Sequence, residues 1–253
     1  MNSSATNARS EFGAISLGIV CPMANEEASA VEFVNQVLEE CEPAGFKSVV
    51  FFAILDRVSI DGTRELLNGL QQHRPQLQII WSPGNRTVVD AYVRGYEAAL
   101  QADCDWILEI DAGFSHQPSD VPRFFDKMLE GYACVFGSRF CAGAKVSDNT
   151  LSRKVVSHGG SVLANLLLGT NLSDMTSGFE MFSQAALREV LDKGIESRGP
   201  FFQTEIKTHC RNMKTAELPI HYRVDGHNIS PETLKDSFSN LWRLFRLRRR
   251  GQL

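Results

Sequence analysis

LEIDAGFSH, residues 108–116, begins as a buried strand and breaks just after an aspartate. The run that contains it, DWILEID (105–111), is largely apolar, so Asp111 closes a strand instead of lying within one. Glu109 stands two residues earlier, and on a strand that spacing turns both acids to one face. An acid inside a buried strand is costly unless it is paired or liganded. Gly113 follows Asp111 by two residues, and Ser115 and His116 complete the segment.

The alternation of short apolar runs with helical patterns extends in both directions. AISLGIVCP (14–22), SVVFFAILD (48–56) and LQIIWSP (77–83) read as strands upstream, ACVFGSR (133–139) and TAELPIHYRV (215–224) downstream. Between them, helical spacing runs over 26–42, 63–72, 88–101 and 119–131, then over 153–169 and 184–193. Ser119 is placed as an N-cap and Pro122 in the first turn after it. NLSDMTSGFE (171–180) reads as a turn-rich connection. Strand and helix in repetition predict an α/β fold, a mostly parallel sheet with helices on both faces. Ligands of such sheets bind beyond the carboxyl ends of the strands. Polar residues gather at those ends: PMANEE after the first strand, DRVSIDGT after the second, DAGFSH after the fourth and GSR after the fifth.

Composition sets the outer bounds. The 253 residues are 43% hydrophobic and 22% charged, ordinary for a globular protein. A net charge of −4 argues against a general nucleic-acid binder. The six cysteines are scattered without a CxxC pair, which suits reduced thiols better than a disulfide frame or a zinc site. No apolar run approaches the roughly 20 residues needed to span a bilayer. With no secretory signal before the first strand, the expected location is cytoplasmic. Residues 1–13 are expected to be disordered, 14–230 to form one α/β domain, and 231–253 a basic amphipathic helix.

The ordered set of Pro22 with Glu26, Asp56 followed by Asp61-Gly62-Thr63, DAGFSHQP, GSR at 137–139 and DMTSGF at 174–179 resembles the inverting glycosyltransferases of GT-A (Rossmann-like) fold. The likeness is greatest to the dolichol-phosphate (polyprenyl-phosphate) mannosyltransferases and runs from about Ile15 to about Ser230. The resemblance implies a nucleotide-sugar donor, GDP- or UDP-linked, and a polyprenyl-phosphate acceptor. It also implies a divalent cation, Mg²⁺ or Mn²⁺, on the donor diphosphate.

Site residues follow from the resemblance position by position. Pro22, Ala24, Glu26, Asp56, Arg57, Arg86 and Ala112 fall on the donor side. Ala24 stands where the family has tyrosine, and Arg57 where it has a second acid. Arg57 and Arg86 suit phosphate oxygens, which arginine binds bidentately. In helical reading Glu26 is instead a first-turn acid favoured by the helix dipole, and Asp61 a turn residue. Asp111, Arg139 and Glu205 are the expected catalytic residues. Asp111 and Ser115 are the expected metal ligands, with Glu109 and His116 as alternatives, because Gly113 replaces the second acid of the DxD pair. Glu109 is more readily explained as the partner of an arginine, and His116 as a hydrogen-bonded structural residue. Arg153, Ser177, Gly178 and Arg223, the last followed by Gly226, fall on the acceptor side.

Leu234, Phe238, Leu241, Trp242 and Phe245 line one side of the C-terminal helix, with Lys235, Arg243, Arg246, Arg248, Arg249 and Arg250 around or after them. This pattern suits peripheral attachment to an anionic membrane surface on its inner face, or packing on the domain itself. A homo-oligomer is a further partner expectation. Two rival readings stay open: transfer to the hydroxyl of a soluble glycan or small molecule with Glu205 as base, and sugar-nucleotide binding without turnover.

Overall fold

A computed structural model describes residues 12–147, 151–224 and 230–253, with the backbone alone for 151–155. The strands are β1 (Ser16–Pro22), β2 (Ser48–Leu55), β3 (Leu77–Trp81), β4 (Trp106–Glu109), β5 (Cys134–Ser138), β6 (Lys145–Ser147), β7 (Glu180–Ser183), β8 (Thr215–Pro219) and β9 (His221–Arg223). The helices are α1 (Ala30–Cys41), α2 (Thr63–Gln71), α3 (Val88–Gln101), α4 (Val121–Leu129), α5 (Leu151–Leu168), α6 (Gln184–Lys193), α7 (Phe202–His209) and α8 (Pro231–Arg249). Seven strands form one sheet in the order β3-β2-β1-β4-β7-β5-β8. The expected mostly parallel α/β sheet is present, and β7 alone runs against its neighbours. β6 and β9 pair separately.

Strand alternation divides the core into two layers. Ile19, Cys21, Phe51, Ala53, Leu55, Leu108 and Ile110 face α1, α2 and α4. Val20, Phe52, Ile54 and Ile107 face α3, and on that same side α5 to α8 bury Ala164, Leu187, Ile206, Leu241 and Leu244. Glu109 and Asp111 share the parity of Ile107 and so turn toward α3. Gly95 lets that helix come close: a Cβ there would lie 2.3 Å from Val20 Cγ1 and 2.8 Å from Ile54 Cδ1. A capping box starts α3, with Asp90 N–H donating to Thr87 Oγ1 and Thr87 N–H donating to Asp90 Oδ2.

Several expectations need correction. The disorder expected for 1–13 lies outside the described residues except at its end. There Phe12 is buried against Phe46 and Phe125. α1 starts at Ala30, because Ser29 and Ala30 donate their N–H groups to Glu26 O and make a turn first. Glu26 therefore precedes the helix instead of occupying its first turn. α4 is capped at Asp120, not Ser119. Asp120 accepts from the N–H of His221 at 2.5 Å and pairs with the His221 ring. The strand expected over 215–224 divides at Ile220, β8 joining the main sheet and β9 the two-stranded one. β7 (Glu180–Ser183) begins where the turn-rich connection expected over 171–180 ends, and no strand was expected there.

Candidate functional site

The carboxyl ends of β1, β2, β4 and β5 converge on one edge of the sheet. β7 contributes there through the loop that enters it, since it runs antiparallel to β4 and β5. Residues 174–179 reach the edge for that reason. The loops after β1 and β2 are laced together. Asn25 donates from Nδ2 to Val58 O and accepts from Ile60 N–H, both at 3.0 Å. Glu26 N–H donates to Thr63 Oγ1 at 2.8 Å, and Glu27 N–H donates to Asp61 Oδ2 at 3.0 Å. Asp61 thus serves the turn, as its spacing suggests. Pro22 closes β1, Ala24 is exposed beyond it, and Asp56 accepts from Val58 N–H at the end of β2.

Asp111 is held by a residue that sequence reasoning missed. Tyr92, buried on α3, donates its hydroxyl to Asp111 Oδ1, and Tyr96 one turn later donates to Glu109 Oε2. The two spacings match: four helical residues rise about 6 Å, and two strand residues about 6.6 Å. Buried tyrosines need partners for their hydroxyls, so two tyrosines four apart beside two acids two apart were a readable signal. His116 Nδ1 accepts from Asp111 N–H at 3.2 Å, and its ring stacks on Phe179 at 5.0 Å. Burial depresses its pKa. Bonded to the backbone through Nδ1 and stacked on Phe179, His116 is a structural part of the turn.

Among the described residues Glu109 pairs with no arginine. Its carboxyl is fully buried between Tyr96 and Gln203 Nε2. Burial, and then Glu180 across the β4–β7 pair, push its pKa well up. Glu180 is matched by the buried Lys207, which also donates to Ser177 O at 2.6 Å. Gly178 is required beside this network: a Cβ would lie 2.8 Å from Gln203 Nε2. Tyr96, Gln203, Glu180 and Lys207 all escaped the sequence reading.

Around Gly113 the chain turns sharply. Gly113 has φ 74° and Phe114 φ 61°, the left-handed region that suits glycine. A Cβ at position 113 would lie 3.1 Å from each carboxylate oxygen of Glu26. Ser115 is buried in the same loop, and Ala112 is partly exposed beside Asp111. Asp111 itself is 43% exposed at its side chain. Among the described residues, no three His, Cys, Asp or Glu side chains gather as a metal cluster.

On the other side, Arg139 makes a fork onto Asp174, Nε to Oδ2 at 2.7 Å and Nη2 to Oδ1 at 2.9 Å. Nη2 also donates to Thr176 Oγ1 at 2.5 Å. Burial works against the Asp174 carboxylate, but Arg139 outweighs it and holds the pKa down at about 2. The guanidinium lies 5.3 Å from the ring centres of both Phe140 and Tyr222. Arg223 donates to Gly113 O at 3.2 Å, which brings it beside the Asp111 loop. Ser177 is buried with its hydroxyl unpartnered among the described residues. Arg153 lies on α5 with its side chain outside the described residues, as is all of Gly226. Arg57 and Arg86 are exposed, and no ion pair holds either among the described residues.

Glu205 departs most from expectation. It is fully buried on α7, accepting from Arg243 Nη2 at 2.5 Å and from Ser197 N–H at 2.8 Å. Burial alone would raise its pKa, but the bonds from Arg243 and Ser197 lower it. A carboxylate so stabilised is a weak base, and Arg243 belongs to α8. Glu205 fastens the C-terminal helix to the domain.

The sequence signature of a family described as "Glycosyl transferase family 2" matches residues 18–191. An undecaprenyl-phosphate mannosyltransferase of Micrococcus luteus is 30% identical over 67% of this chain and 70% of its own length. A polyprenol monophosphomannose synthase of Mycolicibacterium smegmatis is 25% identical over 86% and 84%. Among solved structures, the glucosyl-3-phosphoglycerate synthase of Mycobacterium tuberculosis, in complex with Mn²⁺, UDP and phosphoglyceric acid, superposes with a TM-score of 0.66. It is 15% identical and covers 95% of this chain and 82% of its own.

Proposed function

The chain belongs to glycosyl transferase family 2, and from that membership we propose that it moves a sugar from a GDP- or UDP-linked donor to a polyprenyl phosphate, with inversion. The named activities of the two bacterial relatives support this acceptor. One observation in the structure carries the choice. A hydroxyl acceptor needs a base to take its proton, and the acid expected in that role, Glu205, is buried and bound to Arg243. A phosphate acceptor arrives as an anion and needs no base.

In this reading the base and ribose lie toward Pro22, Ala24, Glu26 and Asp56, and the diphosphate toward Asp111 and Ala112. Arg57 and Arg86 stand at the rim as additional phosphate contacts. Arg139, oriented by Asp174, and Arg223 draw the acceptor phosphate in, with Arg153, Ser177 and Gly178 shaping that side. A phosphate oxygen attacks the anomeric carbon from the face opposite the nucleotide. The new C–O bond forms as the bond to the diphosphate breaks, and the electron pair departs with the nucleoside diphosphate. A divalent cation, when bound, supplies Lewis-acid stabilisation of that departing charge. Its residues are Asp111, half-exposed and oriented by Tyr92, and Ser115. Mg²⁺ commonly takes only one or two carboxylates plus phosphates, so this sparse set fits.

The partner surface follows from the same reading. α5 and α8 pack together, and Arg248 donates to Leu167 O across them. Their outer sides expose Val156, Val162, Leu163 and Leu166 on one helix, Phe238 and Trp242 on the other. Lys235, Arg246 and Arg249 are exposed beside them. This apolar face with a basic border suits the surface of an anionic membrane. No helix among the described residues is long and apolar enough to cross one.

The test is transfer itself. Radiolabelled GDP- and UDP-hexoses are incubated with the protein, polyprenyl phosphate in detergent and Mg²⁺ or Mn²⁺. One donor is expected to give acid-labile label in the organic phase. Label appearing only in soluble hydroxyl acceptors would reject the proposed acceptor.

A further inference from the structure

The donor site presents one acid on the chain where two are expected, because Gly113 follows Asp111 at the position of the second. The backbone at Gly113 explains why no acid is there. At φ 74° any side chain is strained, and the space its Cβ would fill is bounded by the carboxylate of Glu26, 3.1 Å from both oxygens. An aspartate at 113 would meet both a steric cost and a like charge. The place is already taken by a carboxylate that arrives from another loop.

We infer that Glu26 supplies through space the second carboxylate that position 113 lacks, so that Asp111 and Glu26 together hold the divalent cation of the donor diphosphate. The inference rests on the donor reading above and changes the part Glu26 plays in it, from a contact of the nucleoside to a ligand of the ion.

Glu26 is built for a fixed position. Its N–H is anchored on Thr63 Oγ1 at 2.8 Å, and Ser29 Oγ donates to its Oε2 at 2.6 Å. The backbone bond fixes where the residue leaves the chain, and the Ser29 bond orients one oxygen of its carboxylate. Tyr92 does the same for Asp111 through one oxygen. Glu26 follows the carboxyl end of β1 and Asp111 that of β4, parallel neighbours in the sheet, so both acids stand at one edge. A cation between two such carboxylates relieves their repulsion. Ser59, Asp61 and Thr63 brace the β1–α1 loop against the β2–α2 loop. The substitute acid therefore does not depend on a mobile side chain alone.

The experiment separates an ion ligand from a nucleoside contact. Binding of GDP and of UDP to the full chain is measured by calorimetry in EDTA and in Mn²⁺, and bound Mn²⁺ is followed by its EPR signal. For the unaltered protein one nucleotide is expected to bind at least about tenfold tighter with Mn²⁺, about 1.4 kcal/mol. Glu26→Gln is expected to abolish that gain and the EPR change. Glu26→Asp keeps the charge and is expected to retain part of the gain. The inference is overturned if Glu26→Gln keeps the full Mn²⁺ gain, or weakens the nucleotide equally with and without Mn²⁺. Nucleotide binding that is indifferent to Mn²⁺ in the unaltered protein overturns it too, and leaves the donor reading standing. Failure to bind either nucleotide under any condition removes both.

Discussion

Arg243 of the C-terminal helix reaches Glu205 Oε1 at 2.5 Å, and Glu196 at 3.3 Å from its other terminal nitrogen. The first contact lies in the interior and the second at the surface. Glu205→Gln keeps the shape but removes the charge that Arg243 meets. It is expected to cost about 2 kcal/mol and to lower Tm by about 4–8 °C. With polyprenyl phosphate as acceptor, kcat is expected to stay within about threefold. A loss of about a hundredfold at unchanged Tm would instead make Glu205 the base. Thermal unfolding and initial rates on the same preparation decide between them.

Asp174 is a group whose ionisation stabilises the fold. Its folded pKa of about 2 lies below the unfolded value of about 3.9. The stabilisation is thus fully present above about pH 4 and is lost as pH falls toward 2. Urea midpoints measured from pH 5 to pH 2 are expected to fall across that window. In Asp174→Asn the acid limb flattens, and stability at pH 7 drops by about 3 kcal/mol because Arg139 is left without its counter-charge.

Tyr92→Phe removes one hydroxyl and leaves the ring against Tyr96 and Phe202. Packing is preserved, so Tm is expected to move by less than about 3 °C. Asp111 loses its orienting donor, and kcat/KM for the donor is expected to fall about tenfold, equivalent to about 1.4 kcal/mol. Equal rates for the two proteins would mean that Asp111 needs no such support.

The exposed face of α5 and α8 gives a prediction independent of catalysis. Flotation with vesicles containing anionic lipid is expected to carry the protein upward, less so as salt screens the basic border. Phe238→Ala combined with Trp242→Ala is expected to reduce binding at least about tenfold. Both side chains are more than half exposed, so folding is little affected. Equal recovery with neutral and anionic vesicles would count against the charge component.

Much of this was legible in order and period. The first five strands lie on the apolar runs that mark them, and α6 spans the residues its pattern marks. β7 and α7 were not legible, for one shared reason. β7 has four residues and buries Glu180, while α7 is buried all round with Gln203, Glu205 and Lys207 inside it. A helix covered on every side shows no polar face, and its buried polar groups look like surface until their distant partners are known. In the candidate site, Asp111 could be read because it follows a buried strand closely. The nearness of Glu26 to Gly113 could not, since it depends on how two loops fold against each other.

Helix α7 is braced from both ends of its polar content. Glu205 is gripped by α8, which carries Trp242, while Gln203 touches Glu109, the last residue of β4 and two before Asp111. One short helix thereby ties the C-terminal helix to the strand from which the Asp111 loop departs, so a change in how α8 lies strains the Arg243 contact first and, through α7, the buried partner of Glu109.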